Sequence, residues 1–180
     1  MNAISDQLPR SAITVFRPSS ERLDRLGEWF AAEYEPLLRF AYFVTGDREA
    51  ARDTVQDAFI RIWKAGGSVE RNGFPAYARR TVASIGRSRF RRIGAERRAL
   101  ARLPRTPEGV DPPDVATRDA VWQGILRLSP QQRAVVALRF YEHYTESQIA
   151  ATLGVGPGTV KKQLSRALDR LSMDLEGRPR

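Results

Sequence analysis

The sequence predicts an all-α protein: two small helical domains joined by a flexible linker, the C-terminal one a helix-turn-helix. Three observations carry this. Apolar residues recur every three or four positions, and no stretch alternates with the period of two that a half-buried strand needs. The run "LPRTPEGVDPPD" at 103–114 divides the helical pattern; with four prolines, one glycine and three acids it has the composition of a linker. At 145–171, "TESQIAATLGVGPGTVKKQLSRALDRL" joins two amphipathic segments at a glycine-rich corner, and the second is basic on one side.

Residues 1–20 read as a loose arm, with Pro9, Pro18 and several serines but no sustained period. The helical period starts at Glu21, where Leu23, Leu26, Phe30, Tyr34, Leu37, Ala41 and Val44 share one face. Pro36 lies inside this run and predicts a kink or a division into two helices. Gly46 suits the position just past a helix end, and Asp47 suits the N-cap of the next. That next helix spans about 48–65, with Val55, Phe59, Ile62 and Trp63 on its apolar side. "GGSVERNGFP" at 66–75 is a loop by its glycines and Pro75. A third helix, about 76–93, turns Tyr77, Val82, Ile85 and Phe90 inward. Residues 21–93 thus form the first predicted domain. The stretch 94–118 is the linker, long enough at about 80–90 Å extended to bridge more than one DNA turn.

The second predicted domain, 119–176, opens with Val121, Trp122, Ile125, Leu126 and Leu128 on one face. Ser129 is an N-cap followed by Pro130 at the first helical position, where the missing N–H costs nothing. Thr145 caps the next helix and Gln148 completes a capping box, with Ile149 and Leu153 pointing inward. Gly154 and Gly156 make the turn, Val155 plugs the core between helices, and Pro157 opens the last helix. There Val160, Leu164, Leu168 and Leu171 share a face. Lys162 and Arg166 lie about 160° from Leu164 and Thr159 about 140°, with Lys161 and Ser165 beside them. A recognition helix needs such a surface, because its first turns meet base edges and phosphates in the major groove.

The net charge of +9 calls for an acidic partner, nucleic acid first and an anionic membrane surface second. Residues 79–105 hold ten arginines and a single acid, Glu96, so intramolecular pairs cannot satisfy them all; backbone phosphates are their natural partners. The absence of cysteine excludes disulfides, thiolate metal sites and thiol redox switches. No segment has the apolar length of a signal peptide core or of a membrane span, which predicts a cytoplasmic protein without membrane insertion. His143 is the only histidine and reads as structural. Without a metalloprotease, nucleophile-elbow or phosphate-loop pattern, the chain is expected to be no enzyme and to need neither cofactor nor metal.

In order and spacing these segments resemble the bacterial RNA polymerase sigma factors of the extracytoplasmic-function (group 4) type of the sigma-70 family, and within it the actinobacterial SigE-like branch. "YEPLLRFAYFVTGDREAARDTVQDAFIRIWKA" looks like sigma regions 2.1–2.2, and "AYARRTVASIGRSRFRR" like regions 2.3–2.4. "LSPQQRAVVALRFYEHYTESQIAATLGVGPGTVKKQLSRALDRL" looks like region 4. The resemblance implies a first domain that grips the β′ clamp helices of polymerase core through Asp53, Gln56 and Asp57 and melts the −10 element. The −10 role falls on the loop 66–75 and on the helix after it, through Arg79, Arg80, Ser84, Arg87, Arg91 and Arg92. It implies a second domain that sits on the β flap and reads the −35 element with Thr159, Lys161, Lys162, Ser165 and Arg166. It also leaves room for an anti-sigma protein as a partner. Arg52 stands where many members carry an acid, Thr54 where leucine is usual, Ser84 for a frequent asparagine, and Gly156 for the common serine N-cap. The alternative from a different class is a free-standing operator-binding regulator that dimerises through residues 21–63.

Overall fold

The computed structural model describes residues 20–65, 73–100 and 118–176. Residues 1–19 of the predicted arm 1–20, most of the predicted loop and residues 101–117 of the predicted linker lie outside the described residues. In order the helices are α1 (Ser20–Thr45), α2 (Arg48–Lys64), α3 (Phe74–Leu100), α4 (Arg118–Arg127), α5 (Pro130–Val136), α6 (Glu146–Leu153) and α7 (Pro157–Glu176). A π-helical turn, Ala137–Tyr141, continues α5. No strand occurs among the described residues.

α1 is one helix with Pro36 inside it, not two. The carbonyl that loses its N–H partner belongs to Ala32, an exposed residue where water can replace the bond. Leu37, Phe40, Ala41 and Val44 on the following turns are fully buried and hold the helix together across the break. Gly46 takes φ +80 and Asp47 accepts the Ala50 N–H at 2.7 Å, so one corner ends α1 and starts α2. α3 begins at Phe74 and runs to Leu100, seven residues past the predicted end. The extra segment "GAERRAL" is built mostly of strong helix formers, and the first proline comes only at 104.

The first three helices pack around Val44, Val55, Ala58, Ile62, Phe74, Ala78 and Val82. At Gly86 an added Cβ would strike Val44 Cγ1, so this glycine sets how closely α3 approaches α1. The same core continues without a break into α5, α6 and α7 through Ala134, Val135, Leu138, Ile149, Leu153 and Val160. α3 packs on α5 and α6, and α1 on α5 and the π turn. Trp122 of α4 stacks on Tyr42 of α1 with centroids 4.7 Å apart and 12° between planes. The two helical groups read from the sequence therefore lie side by side on one apolar core, an arrangement that no periodicity announced.

Burial corrects several predicted faces. Phe90, Val121 and Leu168 are 52%, 51% and 43% exposed, and Trp63 is exposed beside Phe59. In α7 the small Ala167 is fully buried where Leu168 was expected, so the inward stripe is Val160, Leu164, Ala167 and Leu171. Phe90 lies beyond the stretch of α3 covered by α1 and lines a shallow cavity of about 270 Å³ with Ile93 and Pro130. At the start of α4, neighbouring Trp122 takes the contact with α1 and leaves Val121 to solvent.

Thr54 is fully buried in α2, and its hydroxyl has no hydrogen-bond partner among the described residues. An unsatisfied buried hydroxyl costs about 1–3 kcal/mol, and valine has nearly the same shape. Thr54→Val is expected to stabilise the fold by about 1 kcal/mol and raise Tm by about 2–4 °C in thermal unfolding. A lower Tm would show that the hydroxyl is satisfied.

Candidate nucleic-acid interfaces and the junction between the halves

α6 and α7 meet in a tightly determined corner. The Thr145 hydroxyl accepts the Gln148 N–H at 3.2 Å, and the Gln148 side-chain oxygen accepts the Thr145 N–H at 2.8 Å. α6 ends at Gly154, which takes the left-handed φ of +66 and donates its N–H to the Ala150 carbonyl. Val155 packs half-buried against the core. The Gly156 carbonyl then accepts the N–H groups of Thr159 at 2.9 Å and Val160 at 3.2 Å, which starts α7. With Val160 and Ala167 buried beneath, Thr159, Lys161, Lys162, Ser165 and Arg166 all face solvent on the first three turns. The Ser165 hydroxyl sits 3.5 Å from Asp169 Oδ2, a long contact at an exposed site.

The arginines of α3 divide into two groups. Ser84, Arg91 and Arg92 are exposed, and Arg92 reaches Glu96 at 3.6 Å in a solvated pair. Arg87 is half-buried, and burial together with the like charge of Arg91 lowers its pKa. Arg79 departs from the expected outward placement and is buried at the junction between the halves, whereas Arg80 stays exposed and reaches across to the end of α6.

Arg79 is 6% exposed. Its Nε donates to Glu142 Oε2 at 2.6 Å, and one terminal nitrogen donates to Glu33 Oε2 and to the Pro75 carbonyl, each at 3.1 Å. Burial alone would lower its pKa, but the charges of Glu142 and Tyr144 and the bonds to Glu33 and Glu142 outweigh it, so the guanidinium is held charged. Arg80 donates from Nε to the Thr152 carbonyl at 3.1 Å and from a terminal nitrogen to the Ala151 carbonyl at 2.8 Å. Those carbonyls end α6, where a helix lacks internal donors and favours a cation. Gly154 has a second role here: a Cβ on it would come within 2.7 Å of the Arg80 guanidinium.

Sequence reasoning missed the partners of these two residues. Glu33 and Glu142 lie 46 and 63 positions from Arg79, and no spacing rule connects residues so distant. The π turn positions Glu142: its N–H bonds to the Ala137 carbonyl, Phe140 and Tyr141 are turned to the surface, and His143 follows at φ +58. Arg133 was missed as well; it is buried, its Nε has no partner among the described residues, and burial lowers its pKa.

The residues expected to meet a partner protein lie on α2. Asp53, Gln56 and Asp57 are exposed, and Asp53 Oδ2 receives Arg89 at 3.4 Å. Among the described residues no three His, Cys, Asp or Glu side chains gather as a metal site would require. No helix among them is long and apolar enough to cross a membrane.

The description "Sigma-70 region 2" matches residues 29–96, and "Sigma-70, region 4" matches residues 118–171. The RNA polymerase sigma-E factor of Streptomyces avermitilis is 32% identical over 152 residues, covering 84% of this chain and 85% of that protein. The ECF RNA polymerase sigma factor SigL of Mycobacterium tuberculosis is 31% identical over 150 residues, covering 78% and 82%. In fold, the chain is similar to the sigma factor RpoE solved in complex with the anti-sigma factor NepR from Bartonella quintana. That likeness has a TM-score of 0.65 and 22% identity over 87% of this chain and 99% of that one. CnrH, solved with the cytosolic domain of CnrY, aligns at a TM-score of 0.59 with 24% identity, covering 87% and 91%. Matched by both regions in order and by relatives above 30% identity over most of both chains, the chain belongs to the extracytoplasmic-function sigma factors of the sigma-70 family.

Proposed function

We propose that this chain is a promoter-specificity subunit that joins RNA polymerase core in the cytoplasm and does no catalysis of its own. The observation that carries the reading is a pair of unlike basic surfaces in one chain. One is the solvent-facing strip Thr159, Lys161, Lys162, Ser165 and Arg166; the other is the outward edge of α3 with Ser84, Arg87, Arg91 and Arg92. An operator-binding dimer uses one reading surface twice on a palindrome, whereas two different surfaces suit two different DNA elements. The α7 strip reads the −35 element, and α3 with the loop before it holds the −10 element. Working boundaries are 21–93 for the first unit and 119–176 for the second. Asp53, Gln56 and Asp57 offer acceptors to the β′ clamp helices, and the second unit rests on the β flap.

The α7 assignment is tested on a panel of −35 variants in transcription with polymerase core. Arg166→Ala and Lys162→Ala are expected to weaken promoter use. Loss of a base contact costs about 1–3 kcal/mol and relaxes discrimination at one position, while loss of a phosphate contact weakens all variants alike. A panel unchanged by both substitutions removes this helix from the reading.

The α2 assignment is tested by Asp53→Arg combined with Asp57→Arg. Both residues are exposed, so folding stability is expected to change by about 0.5 kcal/mol or less beyond loss of the long Arg89 contact. Capture of polymerase core by the tagged protein is expected to vanish, because like charges placed across an interface cost several kcal/mol. If the unaltered chain captures no core enzyme yet binds a palindromic duplex as a dimer, the operator-binding alternative replaces this reading.

A further inference from the structure

We infer that Arg133 anchors a binding site for a small monocarboxylate with an apolar body, in the cavity between the α1–α2 corner, the second half of α3 and the start of α5. The cavity, of about 270 Å³, is walled by Val44, Gly86, Phe90, Ile93, Pro130 and Arg133. No residue named above for DNA or polymerase lines it.

Arg133 supplies the charge. It is 5% exposed, yet its enclosed Nε has no hydrogen-bond partner, and no acid pairs with it, among the described residues. Arg79 is buried to the same degree and takes two carboxylates and a carbonyl. Burial lowers the pKa of Arg133, and no neighbouring anion raises it. A guanidinium has five fixed donors and no acceptor, so enclosing it without an anion is costly. Its fork fits a carboxylate through two parallel bonds.

The walls set the rest of the ligand. Phe90 and Ile93 are exposed apolar side chains, and with Val44 and Pro130 they offer a surface to an apolar body. The volume is below the ~300–1,000 Å³ of sites for drug-sized molecules. It equals roughly nine waters' share of the liquid, so the body is a single ring or a short chain. Arg89 lines the cavity too but already reaches Asp53 at 3.4 Å. Asp47, the acid on the wall, is exposed and accepts the Ala50 N–H. One uncompensated cation thus calls for one negative charge, and a nucleotide is both too large and too highly charged.

Benzoate probes the site on the full chain at constant ionic strength. In nitrogen-15 spectra of the assigned protein, benzoate is expected to shift the Arg133 Nε–H signal saturably. Benzyl alcohol, of similar shape without the charge, should leave it in place. With benzoate at about ten times its Kd, Tm is expected to rise by about 3–6 °C. Arg133→Met keeps an apolar stem and deletes the charge, so the rise in Tm should vanish. Phe90→Ala, at an exposed position, serves as a second variant should Arg133→Met fail to fold by circular dichroism. It keeps the Arg133 signal and is expected to weaken benzoate about three- to tenfold. An unmoved Arg133 signal, an equal shift by benzyl alcohol, a rise in Tm that persists in folded Arg133→Met, or an unchanged affinity in Phe90→Ala overturns the site. Acetate or inorganic phosphate acting as strongly as benzoate would mean an adventitious ion only, and overturns it as well.

Discussion

A guanidinium carried into an all-helical interior must find anions, and Arg79 finds them on both sides of the molecule. Glu33 belongs to α1, Glu142 to the segment after the π turn, and α3 supplies the cation between them. Arg79 is too costly to bury alone, and its bonds to the more enclosed Glu142 and to the partly exposed Glu33 favour one relative placement of the helices. The apolar contacts around them tolerate sliding far better than the ions do. Arg80 adds a second constraint of the same kind, with its fork on the last carbonyls of α6 and its room made by Gly154. Shared core and ionic register together make one body of two helical groups.

The short helices of the second group depend on their ends. α5 and α6 have seven and eight residues, too few to be stable in water by propensity alone. Each begins with a capping box, Ser129 with Gln132 and Thr145 with Gln148, which satisfies donors that a short helix would leave open. The π turn inserts a residue just after α5, which frees the chain to bring Glu142 back toward α3. Local polar bonds thus build the helices, and the buried apolar stripe of Val160, Leu164, Ala167 and Leu171 seats α7 on them. The surface left outward is the one that carries the lysines and arginines.

α3 combines two environments along one helix. Its first turns are enclosed by α1, α2 and α6, while its second half projects beyond the three-helix core with Phe90 and Ile93 exposed among arginines. Charge density is similar along the length, yet the surroundings differ. Near Pro75 the arginines have carboxylates and carbonyls within reach; near Arg87 and Arg91 they have mainly each other. Under the proposed function, a phosphate backbone is the anion that this second group lacks.

The helices, their caps and the outward position of Thr159, Lys161, Lys162, Ser165 and Arg166 were legible in the sequence. They rest on interactions three or four residues apart, where spacing alone decides which side chains meet. The family was legible too, because motifs in order survive without knowledge of packing. Faces were read less well where a small residue took the buried place, as Ala167 did from Leu168, or where a helix outran its neighbours, as at Phe90. The fates of Arg79 and Arg80 were decided only in three dimensions. Nothing local separates them from Arg87 or Arg91; what separates them is Glu33, Glu142 and the end of α6, brought close by the packing of distant segments. A charge reads alike anywhere in a sequence, and its energy depends on the dielectric and the counter-charges that only the assembled fold provides.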